Sequence, residues 1–291
     1  IFRIFFTTSN LLEALIMNDF FIVFQEIFKQ DFMIKALITG IFIAISCSLL
    51  GVFLVLKNMS LIGDGLAHVS FAAIAIGLLV SDKPIIISIP IVIVASFLVL
   101  LLKEKAKIDA DATIGLLSSF SIAVGVIIAS VAKGFNIDLF SYLFGSILFI
   151  SPSEMILSGL LAIILIVLVL LFYNDLFSIT FDENFAKISG IKVRRINYLL
   201  SVLISVTIVL GIRIVGTMLI SSLIVFPSVS ALQISKGFKR TLMFSVLFSM
   251  IAVVLGIIFS YILNVPTGAL IVVVNAIIFL ITLIIRGIKR G

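Results

Sequence analysis

The chain has 291 residues, of which 63% are hydrophobic, and a mean hydropathy of +1.43. Soluble domains are only about 45–50% apolar, so this composition excludes a water-soluble enzyme and indicates a protein that crosses a membrane several times. The net charge of +6 comes from only 12% charged residues. Because these form no contiguous basic face with aromatic platforms, nucleic acid is excluded as a partner.

The first 33 residues are predicted to be an extension that precedes the membrane-spanning part. Residues 1–16 lack the small-residue cleavage site of a secretory signal peptide, and Met17 is a candidate start of the protein. Residues 17–33 place several phenylalanines on one helical face and polar side chains opposite. This pattern predicts an amphipathic helix that lies on the membrane surface.

Residues 34–286 are predicted to form one membrane-embedded domain, an all-α helical bundle of eight or nine spans, followed by a tail at 287–291. Charged residues, proline and glycine divide this part into apolar stretches that can form spans of about 20 residues. The stretches lie at 35–56, 64–80, 84–102, 113–132, 154–172, 196–214, 216–233, 241–263 and 267–285. A further segment, 138–151, has the pattern of an amphipathic helix.

The distribution of Lys and Arg predicts which loops face the cytoplasm. Alternate loops and the C-terminal tail carry 14 of the 20 basic residues, and the other side carries 6. Cytoplasmic loops of membrane proteins are enriched in these residues. The loops at 57–63, 103–112, 173–195 and 235–240, together with the tail after 285, are therefore predicted to be cytoplasmic.

Asp64 and His68, the only histidine, are four residues apart at the start of the second apolar stretch. On a helix this spacing puts both side chains on one face, so both can reach one ligand. Ionisable groups in a span usually face a cavity or a partner, and a carboxylate with an imidazole suits zinc, manganese or ferrous iron. The alternative is structural: Asp64 caps the helix, and a nearby carbonyl satisfies His68.

Two ligands in one chain do not close a metal site. Cys47 is the only cysteine, so a cysteine site and a disulfide within one chain are excluded. A symmetric dimer would supply two aspartates and two histidines around its axis, enough for a four-coordinate zinc. If the pair binds metal, the sequence predicts a homodimer, and the small residues Gly63, Gly65 and Ala67 would allow close helix contacts.

The most polar stretch, residues 178–195, is predicted to contain a short capped helix between two spans. Thr180 and Glu183 fit a capping box, Asp182 and Glu183 suit a helix N-terminus, and Gly190 fits a C-terminal stop. Such a helix is either an ordinary loop between spans or a docking site for a soluble partner. The sequence pattern alone supports both interpretations.

Pro227 lies deep in the stretch 216–233, where it removes a backbone hydrogen bond. A proline break in a span is tolerated where the helix is buried in protein or lines a cavity. The helix is therefore either a kinked packing helix or part of a pathway.

Several function classes are disfavoured by missing motifs. The chain has no G-x-x-x-x-G-K-[ST] sequence, so it does not itself hydrolyse ATP through a P-loop. An ion-gradient-driven secondary transporter would usually show more ionisable groups in its spans and internal repeats. An intramembrane hydrolase would use His68 with a serine, but no G-x-S-x-G elbow is present. A purely structural membrane subunit would tolerate loss of Asp64 and His68.

Four ordered blocks carry a resemblance to a known family: GVFLVLKNMSLIGDGLAHVSFAAIAIGLL (51–79), DLFSYLFGSIL (138–148), FDENFAKISGIKVRRI (181–196) and GIRIVGTMLISSLIVFPSVSAL (211–232). Over nearly everything after about residue 33, the chain resembles the ABC-3 type permease subunit of bacterial ATP-binding-cassette importers for zinc, manganese or iron. The block GDGLAHVSFAA, which lacks the Pro-Gly of many manganese-type members, looks closer to the zinc type.

The resemblance implies a type II importer in a bacterial plasma membrane. Its homodimeric membrane core would be flanked by two cytoplasmic ATPase subunits and supplied by an external metal-binding protein. The permease itself would not be an enzyme and would hold no permanent cofactor, because zinc, manganese or iron is its transported substrate. By residue, the resemblance implies metal-pathway roles for Asp64 and His68, ATPase coupling for Asp182, Glu183, Ala186 and Gly190, and a pathway helix break at Pro227.

Overall fold

A computed structural model describes residues 29–80, 84–102, 105, 110–131, 143–145, 150–217 and 219–288. Eight helices among these residues are long and apolar enough to cross a membrane, and one further apolar helix has 15 residues, which confirms the predicted all-α bundle. The helices are α1 (Asp31–Leu56), α2 (Ile62–Val80), α3 (Pro84–Leu101), α4 (Ala110–Val131), α5 (Pro152–Leu171), α6 (Tyr173–Phe181), α7 (Glu183–Ile188), α8 (Val193–Val215), α9 (Ile220–Ile234), α10 (Phe238–Leu263) and α11 (Thr267–Ile288).

Two predictions lie wholly or mostly outside the described residues. One is the amphipathic helix at 17–33 with the candidate start Met17, of which only the last residues are described. The other is the amphipathic segment at 138–151.

Helix α1 is the centre of the bundle and packs against α5, α8, α9 and α10. Most of its residues are buried, including Ile43 and Phe53. Its buried serines are satisfied within the helix, as shown by Ser46, whose hydroxyl donates to the carbonyl of Phe42 at 2.9 Å. Because these serine hydroxyls are satisfied within the helix, they do not oppose its burial among the other helices.

Helix α9 is the short apolar helix and corresponds to the predicted stretch 216–233. Gly216, with φ of 87°, ends α8, and α9 begins only at Ile220, which makes it shorter than predicted. Pro227 is buried inside α9. Near Pro227, α9 crosses α1 so closely that a side chain at Gly51 of α1 would collide with Ile224 and Ser228 of α9.

Contacts between distant residues show which loops share one end of the bundle. Lys57 after α1 bonds to Asn197 near the start of α8, and Arg286 near the end of α11 bonds to Gln233 near the end of α9. At the opposite end, the start of α11 packs against the end of α8 through Gly268. The basic loops that the sequence assigns to the cytoplasm thus meet at one end, as far as the structure describes them.

Candidate metal site and coupling segment

Asp64 and His68 lie in the first two turns of α2. Asp64 is the third residue of the helix, so it does not occupy the capping position that the structural alternative would give it. His68 Nε2 lies 3.6 Å from Asp64 Oδ2. The two side chains thus share one face, as their spacing predicts, and pair with each other across one helical turn.

The remainder of α2 is mostly buried, whereas the face with the pair is open. The side chain of Asp64 is 44% exposed and that of His68 22%. Two glycines beside the pair bring other helices close: Gly63 faces Ser221 of α9, and Gly65 faces Ile114 of α4. The small residues therefore pack α2 into its own chain, while the acid and the imidazole remain partly exposed.

The pair does not complete a metal site within one chain. No group of three or more His, Cys, Asp or Glu side chains that could hold a metal occurs among the described residues. Cys47 is buried in α1, in the main hydrophobic core. Asp64 and His68 offer one carboxylate and one imidazole, so a four-coordinate ion would need ligands from elsewhere.

Helix α4, which packs along α2, leaves most of its surface exposed. This surface includes the small residues Gly115 and Ser119 beside large apolar ones such as Phe120. A Cβ atom added at Gly115 would meet no atom of the described residues within 4 Å apart from the backbone of its own helix. Small residues on an exposed helix surface allow a second helix to approach closely in a bilayer.

The predicted docking helix is α7, and its N-terminal cap differs from the predicted one. Asp182 is the capping residue, and its Oδ1 accepts hydrogen bonds from the N–H groups of Asn184 at 3.0 Å and Phe185 at 2.9 Å. Thr180 lies inside α6, where its hydroxyl donates to a carbonyl of that helix. The predicted Thr180–Glu183 capping box is therefore wrong, because the Asp182 carboxylate already satisfies the free N–H groups.

The C-terminal end of α7 is as predicted. Gly190 has φ of 83°, its N–H donates to the carbonyl of Lys187 at 3.2 Å, and the N–H of Ile191 donates to Ala186 at 3.1 Å. These two bonds form a Schellman motif, which favours glycine at the left-handed position. Gly190 therefore ends the helix.

Helix α7 is anchored by one residue and exposes two apolar ones. Ala186 is fully buried and packs with Ile179 and Val193 of the flanking helices. Phe185 and Ile188 are 60% and 87% exposed. Helix α7 thus presents an apolar surface at the end of the bundle where the basic loops meet.

The sequence analysis does not predict the contacts of Lys57, a basic residue in the short loop before α2. Its Nζ donates to Asn197 Oδ1 at 2.9 Å and lies 3.8 Å from Glu183 Oε2 of α7. Both partners are distant in sequence, so no local pattern links them to Lys57. The one available signal is that the lysine stands just before the Asp64–His68 block.

Comparison with known proteins identifies the family. A model described as the ABC 3 transport family matches residues 29–286. The chain belongs to this family. The chain is therefore a multi-pass plasma-membrane permease of the ATP-binding-cassette type.

Two relatives differ in the metal that they are named for. The chain is 30% identical to the manganese transport system membrane protein MntC of Listeria innocua, over 92% of this chain and 95% of that protein. It is 26% identical to the high-affinity zinc uptake system membrane protein ZnuB of Haemophilus influenzae, over 88% and 98%. The GDGLAHVSFAA block resembles the zinc type, but the overall identity to the zinc-named relative is not higher than that to the manganese-named one.

A solved structure shares the fold. PsaBC from Streptococcus pneumoniae, determined in complex with a Fab, superposes with a TM-score of 0.80 at 32% sequence identity. The match covers 89% of this chain and 94% of that chain. The arrangement of the helices around α1 and α2 is therefore that of a known transporter permease.

Proposed function

We propose that this chain passes a divalent transition metal ion, zinc, manganese or ferrous iron, from an external binding protein to the cytoplasm. The transport would be driven by ATP hydrolysis in separate cytoplasmic subunits. The observation that carries the proposal is the open Asp64–His68 pair on α2, in a chain whose relatives are named for manganese and zinc transport. Carboxylate oxygen and imidazole nitrogen are ligands that these ions accept.

The metal site would form between two copies of the chain. A twofold axis beside α2 would bring together two carboxylates and two imidazoles, which completes four-coordinate ligation. The exposed surface of α4 with Gly115 and Ser119 supports this axis, because it leaves room for a second protomer next to the pair. The ion would be held transiently, since a tightly bound ion could not leave.

The driving motion would enter through α7. Asp182 and Gly190 fix the two ends of this helix, Ala186 anchors it, and its exposed apolar side chains suit a groove on an ATPase subunit. Glu183, the first residue of α7, faces the bundle through its contact with Lys57. ATP binding and hydrolysis would shift α7 and reorient the cavity between the protomers.

Pro227 would act through α9. Ile224 and Ser221 of this helix pack against Gly63, which directly precedes Asp64. Proline removes one backbone hydrogen bond of α9, so the helix can bend where it meets α2 and α1. A helix break at this place supports a role in opening and closing the metal pathway.

Reconstitution tests the proposal. The permease, its ATPase and its binding protein are placed in liposomes, and uptake of zinc and of manganese is measured separately with and without ATP. We expect ATP-dependent uptake of at least one of the two ions. Uptake that depends on an ion gradient and not on ATP would instead identify a secondary transporter. If neither zinc nor manganese is taken up, the proposal is contradicted.

A further inference from the structure

We propose that a groove between α5 and α10 binds an anionic phospholipid from the leaflet on the side where the basic loops meet. Such a site lies outside the proposed function, since it involves neither the metal nor the ATPase. Two features of the structure carry the proposal. One is an apolar groove on the outside of the bundle, and the other is a pair of basic residues, Lys239 and Arg240, at one end of that groove.

The groove lies where two helices pack against a third without closing on each other. Helices α5 and α10 both pack against α1, but in the described part of the chain they do not pack along each other. The gap between them has a volume of about 940 Å³, and the buried Leu49 of α1 lies at its floor. Leu170 and Met243 line it from either side and are 72% and 64% exposed, so the groove faces outward.

The groove has the length of one leaflet. Along α10 its lining runs from Lys239 to Met250, which spans about 16 Å at the rise of an α-helix. The hydrocarbon core of a bilayer is about 30 Å thick, so each leaflet supplies about half of that length. Apart from the two basic residues and Tyr173, all side chains that line the groove are apolar. An acyl chain of one leaflet therefore fits the groove in length and in polarity.

Tyr173 indicates which end of the groove lies at the headgroups. Its ring packs against that of Phe238, which directly precedes Lys239, with 5.6 Å between the ring centroids. Tyrosine is enriched at the boundary between hydrocarbon and water, where its ring lies at the level of the lipid headgroups. The end with the basic residues thus lies at the membrane surface, and the end at Met250 lies in the hydrocarbon interior.

The positive charge at the surface end of the groove is unbalanced. Lys239 and Arg240 are exposed in the first turn of α10, which contains no acidic residue, and neither forms an ion pair with a described residue. Positive side chains at this place add to the positive end of the helix dipole. A lipid phosphate would offset both charges, as anionic headgroups do in basic pockets between membrane helices. A zwitterionic headgroup would bring its own ammonium group, so an anionic lipid fits better.

The chain offers a matched basic pair away from the groove. Lys192 and Arg195 are also exposed and stand at the start of a span, α8, but neither lines the groove. This pair attracts anionic lipid only as surface charge does. It therefore separates a general attraction from binding in the groove.

The absence of tryptophan from the chain permits a direct test. The full-length permease with Met243→Trp is placed in phosphatidylcholine vesicles that contain a small fraction of brominated lipid, which quenches a tryptophan that it touches. Brominated phosphatidylglycerol and brominated phosphatidylcholine with the same acyl chains are compared. We expect a preference of about tenfold for the anionic lipid, because two basic residues at the membrane surface attract it. At Val94→Trp on α3, where the native side chain is 67% exposed, the two lipids should quench alike.

Two double variants of the Met243→Trp protein locate the headgroup. Lys239→Gln with Arg240→Gln should abolish the preference for the anionic lipid. Lys192→Gln with Arg195→Gln removes the same charge and should keep the preference. If the tryptophan variant does not accumulate, native mass spectrometry of the chain without it counts the retained phosphatidylglycerol, which should fall when Lys239 and Arg240 are replaced and not when Lys192 and Arg195 are.

The opposite outcomes overturn the proposal. Equal quenching of the groove tryptophan by both lipids would show that the groove does not select a headgroup. Quenching by neither lipid would show that protein, such as a second copy of the chain, covers the groove. Loss of the preference in both double variants would reduce the effect to surface charge. Metal uptake is not measured, so the result does not depend on the proposed function.

Discussion

Helix α7, the proposed coupling helix, differs in its completeness from the face of α2 that carries Asp64 and His68. Helix α7 has six residues, yet its own sequence supplies both ends, the Asp182 cap and the Gly190 stop. Helix α2 is much longer and mostly buried, yet its ionisable pair is open and offers only two ligand groups. The proposed coupling helix is thus complete in one chain, whereas the proposed metal site would need ligands from a second copy.

The difference has an energetic reason. A helix with exposed residues at the end of the bundle, such as α7, can leave polar groups in water, so caps are enough to define it. A carboxylate and an imidazole in a membrane span are costly when they face lipid. Their open position is tolerable only if a partner or a water-filled cavity covers them, which is what a dimer axis would provide.

The largest expected effect is removal of the pair itself. The double variant Asp64→Ala and His68→Ala should lower ATP-driven metal uptake by more than the roughly 10–100-fold that loss of an outer ligand partner costs. Binding to the ATPase should persist, because α7 is untouched. Uptake by reconstituted complexes measures the effect, and Asp31→Asn, at the exposed start of α1, is the control. Normal uptake in the double variant would remove the pair from the pathway.

The second prediction concerns the surface next to the pair. Gly115→Leu should weaken self-association and uptake about tenfold, because a Cβ atom at this exposed position clashes with none of the described residues, whereas the side chain would occupy the proposed place of the second copy. Gly287→Leu is a matched control, since a Cβ atom at this helical glycine also meets no atom of the described residues outside the backbone of its own helix. The mass of the purified permease in detergent shows whether the dimer has formed. A fully dimeric, active Gly115→Leu protein would place the axis elsewhere.

A third prediction tests the packing that holds α9 against α1. Gly51→Ala should lower the free energy of unfolding by roughly 1–3 kcal/mol, the usual cost of overpacking, because the added methyl group collides with Ile224 and Ser228. Thermal unfolding in detergent measures it, with Gly287→Ala for comparison. Equal melting temperatures for the two variants would show that the helices can separate without cost.

The smallest effect is expected at α7. Asp182→Ala should destabilise the helix by about 1 kcal/mol, the usual value of an N-cap, and weaken binding of the ATPase subunit accordingly. Asp182→Asn keeps a capping oxygen and should bind like the wild type. The account of the cap is wrong if Asn and Ala behave alike in a binding titration.

The sequence predicts those features that depend on local patterns. The lengths of the apolar stretches predict the membrane spans. The preference for glycine at positive φ predicts that α7 ends at Gly190. The cap of α7 was mispredicted because Thr180 and Asp182 both precede the helix at plausible positions, and only the end of α6 decides between them. The predicted start of α9 at 216 is too early, because the turn after Gly216 is as apolar as the helix that begins at Ile220.

Long-range contacts are beyond such reasoning. Lys57 meets Asn197 and Glu183 because the end of α1 lies beside the starts of α7 and α8, and no spacing in the sequence encodes that meeting. Asp64 and His68 could be predicted as a pair, since four residues on a helix fix their relation. The proposal that a second chain completes the site rests on the number of ligands and on the partly exposed face, not on a contact within the chain.

Counting bound ions per chain tests the central claim most directly. Equilibrium dialysis of the purified permease–ATPase complex against zinc or manganese should give one ion for every two permease chains at saturation, and none at this site when Asp64 and His68 are both replaced by alanine. One ion for each chain, or unchanged binding in the double variant, would contradict a metal site shared between two copies of α2.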